Sequence, residues 1–209
     1  VEALPLGNGS IGAMVFGKTN TEKICMNSDT LWTGFPRETR IKENTYENFL
    51  KARELSLKGK YDEAQDIIEE ECLGNWTQSY LPLCDINIKF DTKGCRAKEY
   101  KRILDLSTGI HTVSYTKNDV EYKREAFVSA PNNAFIQKYS ASKKALNFKL
   151  SLSTQLKGES FTENDVLILD GICPSDEQDN LELLNRCEFY PEEKELHGMS
   201  FRASVKVIS

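Results

Sequence analysis

Histidine is nearly missing from this chain, with two residues, His111 and His197, in 209. A zinc centre, a Cys/His nucleophile or a Ser/His/Asp relay each needs imidazole beside partners at matched spacing, and neither histidine has such neighbours. The six cysteines, at 25, 72, 84, 95, 173 and 187, contain no CxxC pair and are irregularly spaced. They read as free, mostly buried thiols rather than a disulfide framework, because a chain this long needs no staples. No apolar run approaches the ~20 residues that cross a bilayer, so no membrane span is expected. The opening at Val1 reads as cut from something longer, with no leader-like segment. Basic clusters are also lacking. Net charge is −5 and the nearest thing to a basic block is Lys143–Lys144, which excludes a phosphate-tracking surface and with it nucleic acid. The expectation is a soluble domain whose compartment stays open, an extracytoplasmic place included.

What is present is mostly alternation. Gly12 to Asn27 reads as a hairpin, IGAMVFG and KICMN around a polar turn at Lys18–Glu22. Arg37 to Thr45 reads as a loop. Residues from about 46 to 73 switch to helical period. Phe49, Leu50, Arg53 and Leu57 fall on one face, Gly59 is placed as a stop, and Tyr61, Ala64, Ile67, Ile68 and Cys72 form a second stripe. From Leu83 the period returns to two: Ile86, Ile88 and Phe90; Leu146, Phe148, Leu150 and Leu152; Phe201, Ala203, Val205 and Val207. Between them 103–106, 110–116, 120–128 and 134–139 read as strands, with Asn118–Asp119 as a tight turn. Gly171 to Gly198 is acidic and turn-rich, an excursion between strands. The pattern predicts one mainly β domain over 1–209, an antiparallel β-sandwich (a supersandwich) with a two-helix insertion at about 46–73.

Gly7-Asn8-Gly9-Ser10-Ile11-Gly12 matches the dinucleotide pattern GxGxxG. That pattern binds pyrophosphate only between a strand and a helix, and AMVFG after it is strand-like, so tight turns are the simpler use of these glycines. Among 32 acidic residues, Asp29, Asp85, Asp105 and Glu125 sit amid apolar neighbours and should be partly buried. Arg102 beside Asp105 and Arg124 beside Glu125 offer internal pairing. Both histidines are expected at the surface. Trp32, Trp76 and Tyr80 lie in loop-like segments, where an aromatic face can pack on the C–H face of a sugar. Asn8-Gly9-Ser10 and Asn75-Trp76-Thr77 fit the N-glycosylation pattern.

Several stretches together resemble the amino-terminal domain of glycoside hydrolase family 95, the α-L-fucosidase-like enzymes. They are Glu2 to Gly34 with its N-S-D-T-L-W at 27–32, Ala52–Leu55 with Gly59–Ala64, Tyr80–Ile86, Tyr100–Leu106 and Tyr122–Ser129. They run in family-like order and cover nearly the whole chain. The chain departs at Ser28, Leu81 and Cys84, where the family usually has Glu, Gln and Gly. The resemblance implies a large β-sandwich joined to an (α/α)6 barrel that holds the catalytic acid and the water-activating groups. It also implies inversion without a metal or other cofactor, on α-1,2-fucosylated glycans. After about 74 the sequence never returns to long helical periods, so that barrel is not in this chain and no catalytic residue carries over. The implied partners are a catalytic barrel in cis and, for the whole enzyme, a fucosylated oligosaccharide. Asn27, Asp29, Thr30 and Trp32 are the expected barrel-facing or cleft-wall residues, with Trp76 and Tyr80 as sugar-contact aromatics. The alternatives are an independent carbohydrate-binding module and a purely structural domain.

Overall fold

A computed structural model describes residues 2–35, 42–74, 78–91, 96–175, 190–192 and 198–208. In chain order the strands are β1 (Leu4–Gly7), β2 (Ile11–Val15), β3 (Thr21–Ser28), β4 (Cys84–Phe90), β5 (Lys98–Asp105), β6 (Ile110–Lys117), β7 (Val120–Ser129), β8 (Ala134–Ala141), β9 (Phe148–Ser153), β10 (Lys157–Glu163), β11 (Val166–Ile172) and β12 (Ser200–Lys206). Between β3 and β4 come α1 (Thr45–Leu57), α2 (Tyr61–Ile67) and a π-helical turn over Ile68–Cys72. The strands form three antiparallel sheets, ordered β1-β2-β3-β4-β9, β5-β6-β7-β8 and β10-β11-β12. The protein is thus a mainly β sandwich carrying two helices, as the alternation predicts.

The alternation is what builds the core. In β4 Cys84, Ile86, Ile88 and Phe90 are buried, and in β6 and in β7 as far as Ala126 the buried positions are again every second one. The inner face of the five-stranded sheet supplies Val15, Ile24, Met26 and Leu152 to a cluster that also takes Ala126 of β7 and Leu169 of β11. Asn118 and Asp119, at φ 51° and 56°, close the two-residue turn between Lys117 and Val120. Asn164 and Asp165 do the same between β10 and β11. Two successive positive φ values match the right-handed twist of the flanking strands, and Asn and Asp tolerate them.

A charge pair crosses this core. Glu22 of β3 and Arg124 of β7 meet at 2.6 Å with side-chain exposures of 0% and 1%. The other Glu22 oxygen accepts the Gly17 and Lys23 backbone N–H groups at 2.7 and 3.1 Å. Arg124 also donates to the Lys18 carbonyl at 2.8 Å and lies over the Phe90 ring at 4.6 Å. Burial raises the Glu22 carboxyl, and the Arg124 guanidinium pulls against it.

Three expectations are corrected here. Glu22 belongs to a buried strand face rather than a turn. Arg124 pairs across the layers and not with Glu125, because successive strand residues point to opposite faces; Glu125 instead binds Lys123 at 2.7 Å on the outer face. Asp105 is exposed at a strand end, where it accepts the Ser107 N–H and hydroxyl at 2.9 and 2.7 Å. A fourth correction is His111, which alternation carries inside. It is 0% exposed, both ring nitrogens lack a hydrogen-bond partner, and burial with Arg102 and Arg124 nearby lowers its pKa to about 4. His197 lies outside the described residues.

The helical insertion starts at Thr45 and turns at Gly59, whose φ of 75° makes it a left-handed stop. Ala52 and Ala64 are its buried residues, while Tyr46, Phe49, Leu57, Tyr61 and Leu73 stand exposed. The helices therefore pack on each other and leave their stripes largely uncovered. β1, β10 and β11 are strands that the sequence does not announce. β10 has every residue exposed and β1 contains Pro5. The loop expected at 37–45 lies mostly outside the described residues, as do Cys95 and Cys187 and most of the acidic excursion. Cys25, Cys72, Cys84 and Cys173 are free thiols, and burial pushes Cys84 up to about 12.

Candidate functional site

The residues flagged by sequence gather where β3 ends and the chain leaves for the helical insertion. Residues 31–33 run antiparallel to 79–81. Leu81 N–H donates to the Leu31 carbonyl at 3.0 Å, Thr33 N–H to the Ser79 carbonyl at 2.9 Å, and Trp32 bridges Tyr80. Alternation in this short strap buries Leu31, Thr33 and Leu81 and turns Trp32 and Tyr80 outward, 40% and 46% exposed. Their rings meet edge to face with centroids 5.3 Å apart, a favoured geometry for aromatic pairs. Trp32 is held further by its indole N–H, which donates to the Asp29 carbonyl at 2.7 Å. Gly34 follows at φ 90°, a left-handed conformation that glycine adopts freely and any L side chain only with strain.

The turn before the strap is polar. Asp29 N–H donates to the Ser10 carbonyl at 2.9 Å, and the Ser10 hydroxyl donates to the Asp29 carboxylate at 3.1 Å. Ser28 and Thr30 hydroxyls are 3.1 Å apart. Asn27 stands one step back, on β3 opposite Gly12. The structure therefore brings Asp29, Thr30, Trp32 and Tyr80 together at one rim and leaves Asn27 on the adjoining sheet face. Trp76 lies outside the described residues.

Chemically the rim offers two ring surfaces, hydroxyls and one carboxylate. An inverting glycosidase needs an acid and a base flanking the sugar, with the acid's pKa raised. Asp29 has its hydroxyl latch, Asp85 pairs with Lys23 at 2.7 Å, and Asp105 and Glu125 are held below the usual carboxylate range by Ser107 and Lys123. Glu22, whose carboxyl is raised, is locked in the core by Arg124. Among the described residues none of these forms an open acid–base pair. Among the same residues no group of three His, Cys, Asp or Glu is placed to hold a metal ion, and no helix is long and apolar enough to cross a membrane.

Two further features lie outside this rim. Gly7–Gly12 is a hairpin end, in keeping with the tight-turn reading of its glycines, since β1 pairs β2 from Leu4↔Val15 to Gly7↔Gly12. Its Asn8 side chain accepts the Ser10 and Ile11 N–H groups at 2.9 and 2.8 Å. The same side chain donates to the Ser129 carbonyl at 3.2 Å and to the Asn133 side chain at 2.9 Å, riveting the hairpin to the second sheet. The other feature is a cavity of about 1000 Å³ between β8 and β12, whose lining looks in sequence like ordinary core alternation.

The family model that matches is described as "Glycosyl hydrolase family 65, N-terminal domain" and matches residues 1–209. Alpha-L-fucosidase 2 of Arabidopsis thaliana is 32% identical over 177 residues, which are 82% of this chain and 21% of that protein. Probable alpha-fucosidase A of Aspergillus oryzae is 32% identical over 146 residues, 66% of this chain and 19% of that protein. The Aspergillus niger protein of the same name is 28% identical over 167 residues, 74% and 20% respectively. The chain thus spans about a fifth of the length of the curated relatives it matches.

Proposed function

Because the chain belongs to the family of glycosyl hydrolase family 65 N-terminal domains, we propose that it is the non-catalytic β-sandwich of an inverting α-L-fucosidase-type hydrolase. In this reading 1–209 is one domain that packs in cis against a catalytic helical barrel, and the whole enzyme acts on α-1,2-fucosylated glycans. The observation that carries it is the match to α-fucosidases about four times as long. Two structural facts support it. Asp29, Asp85, Asp105, Glu125 and Glu22 are each engaged in structural contacts, and the helical insertion leaves Phe49, Leu57 and Tyr61 uncovered, as a surface built to be covered would. Asn27, Asp29, Thr30 and Trp32 are the residues assigned to the barrel interface or the cleft wall, with Trp76 and Tyr80 as the sugar-contact aromatics.

The exposed Trp32–Tyr80 pair favours a second reading, an independent carbohydrate-binding module. One experiment separates the two. The 209-residue chain and the complete native polypeptide are each incubated with 2′-fucosyllactose, and released fucose is followed by proton NMR. The proposal expects no release by the chain, and release of β-L-fucose by the complete polypeptide. Turnover by the purified chain would refute it. Saturable quenching of tryptophan fluorescence by the trisaccharide, lost on Trp32→Phe, with an inactive complete polypeptide, would establish the binding module.

A further inference from the structure

The second layer of the sandwich is interrupted. The four-stranded sheet lies against β1 and β2 through β6, β7 and β8, and the three-stranded sheet lies beside β9 through β10 and β11. The middle strands β3 and β4 of the first layer fall between these two covers. The cavity of about 1000 Å³ sits there, with Ile24, Met26, Ile86 and Ile88 as its floor and β8 and β12 as its walls.

Both walls are strand edges. Among the described residues β8 pairs only with β7, and β12 only with β11. Each therefore presents one row of backbone N–H and C=O groups without ladder partners among the described residues, the condition that recruits a further strand. The inward side chains agree. Phe135 and Tyr139 of β8 and Ala203 and Val205 of β12 pack on the core yet stay partly open. Between Phe135 and Tyr139, the Gln137 side-chain oxygen accepts the Tyr139 hydroxyl at 2.6 Å, while its amide nitrogen is shielded from solvent with no acceptor among the described residues. A donor held dry without a partner is costly, and an incoming carbonyl would satisfy it.

We propose that this slot receives an extended β-strand supplied in cis by polypeptide outside these 209 residues, pairing with the free edges of β8 and β12. The four-stranded and three-stranded sheets then become one continuous layer over the five-stranded sheet. A small apolar ligand would fill the volume but leave both backbone edges unpaired, whereas a strand satisfies edges, floor and Gln137 together. The relatives have the chain to supply it, since the aligned 177 residues are 21% of the Arabidopsis thaliana protein. The inference rests on the reading above only in taking the chain as part of a longer polypeptide; it does not depend on the glycan.

Hydrogen exchange read by mass spectrometry tests it, on the 209-residue chain and on the complete native polypeptide. The expected result is exchange about 100-fold slower in the complete polypeptide at amides within Ala134–Ala141 and Ser200–Lys206. Equal exchange in the two proteins would overturn the inference. So would protection already present in a 209-residue chain that sediments as a dimer, which would make a second copy the occupant. Protection together with failure to release fucose would sink the fucosidase reading and leave this one standing. Fucose release with unprotected edges would do the reverse.

Discussion

Replacing Arg124 by Met should be the most damaging single change among the positions described above. The substitution keeps an unbranched apolar stem but leaves Glu22 ionised, 0% exposed and supported only by the Gly17 and Lys23 N–H groups. Breaking a buried pair by removing one partner costs about 3–5 kcal/mol. The guanidinium also loses its places over Phe90 at 4.6 Å and Tyr115 at 5.3 Å, worth ~0.5–1 kcal/mol each or more when desolvated. Relief from desolvating the guanidinium offsets part of this, so a loss of about 4 kcal/mol is expected. In a chain of this size that lowers Tm by ~8–16 °C. The double variant Glu22→Gln/Arg124→Met buries no charge and should recover to within ~2 kcal/mol of the parent.

The pH dependence has a definite sign. With Arg124 gone the folded Glu22 carboxyl rises further above its ordinary 4.5. A raised acid contributes most stability below its unfolded pKa and loses it as pH rises through the folded pKa. The gap between single and double variants should therefore be widest at pH 7 and close as pH falls toward 4.5. Urea titrations of the parent, both singles and the double at pH 7 and pH 4.5 provide the cycle. A single-variant loss below about 1 kcal/mol at pH 7, or a gap that does not narrow in acid, would refute the reasoning.

His111 gives an acid limb of its own. Its pKa falls from 6.5 unfolded to about 4 folded, so stability is lost as pH drops from 6.5 toward 4, by about 3 kcal/mol at ~1.36 kcal/mol per pH unit. His111→Phe should flatten that limb in thermal melts, and an unchanged limb would discount the residue. In the complete polypeptide, Trp32→Ala with Tyr80→Ala should lower kcat/KM for 2′-fucosyllactose at least tenfold. The Tm of the 209-residue chain should shift by only ~2–4 °C, since both rings are about half exposed; unchanged activity would remove the pair from the rim's function. Asn8 should stay unmodified when the chain is secreted by a eukaryotic host, because its amide already donates to Ser129 and Asn133. Intact mass with peptide mapping reads this, and glycan on Asn8 would contradict the rivet.

How much was legible in the sequence depended on whether the signal was local. Val120–Ser129 is readable because one face alternates with the other and Asn118–Asp119 announces its turn. The helical insertion is readable from its period and from Gly59. β10 is not, since KGESFTE has no apolar alternation and becomes a strand only through pairing with β11 along its whole length. Arg124 reads as a neighbour of Glu125, yet its partner is Glu22, 102 positions away. His111 looks like surface until strand alternation places it beside Val113 and Tyr115 in the core. At the candidate rim, Asp29, Thr30 and Trp32 are close in sequence and so were found together. Tyr80 joins them only because the strap folds back. The cavity was invisible, because buried apolar strands are written alike whether or not a void lies against them.

The strap has a mechanical consequence. Residues 31–33 and 79–81 are the neck through which the chain leaves and re-enters the sheet, and everything from 42 to 74 hangs beyond it. Below the neck Met26 pairs with Cys84 and the ladder of β3 with β4 proceeds without reference to the insert. Above it, the helices reach the sheet through two short hydrogen-bonded segments whose outward residues are Trp32 and Tyr80. The aromatic pair therefore sits at the fulcrum of a lever. The strap is also tied to the end of β11, where Gly34 N–H donates to the Pro174 carbonyl at 2.9 Å, so a load on the helical arm would be shared between the rings and the three-stranded sheet. A graft that shortened the arm would leave the sheet register intact, since each halving of loop length alters closure by only ~0.6 kcal/mol, while cutting the rings off from the load.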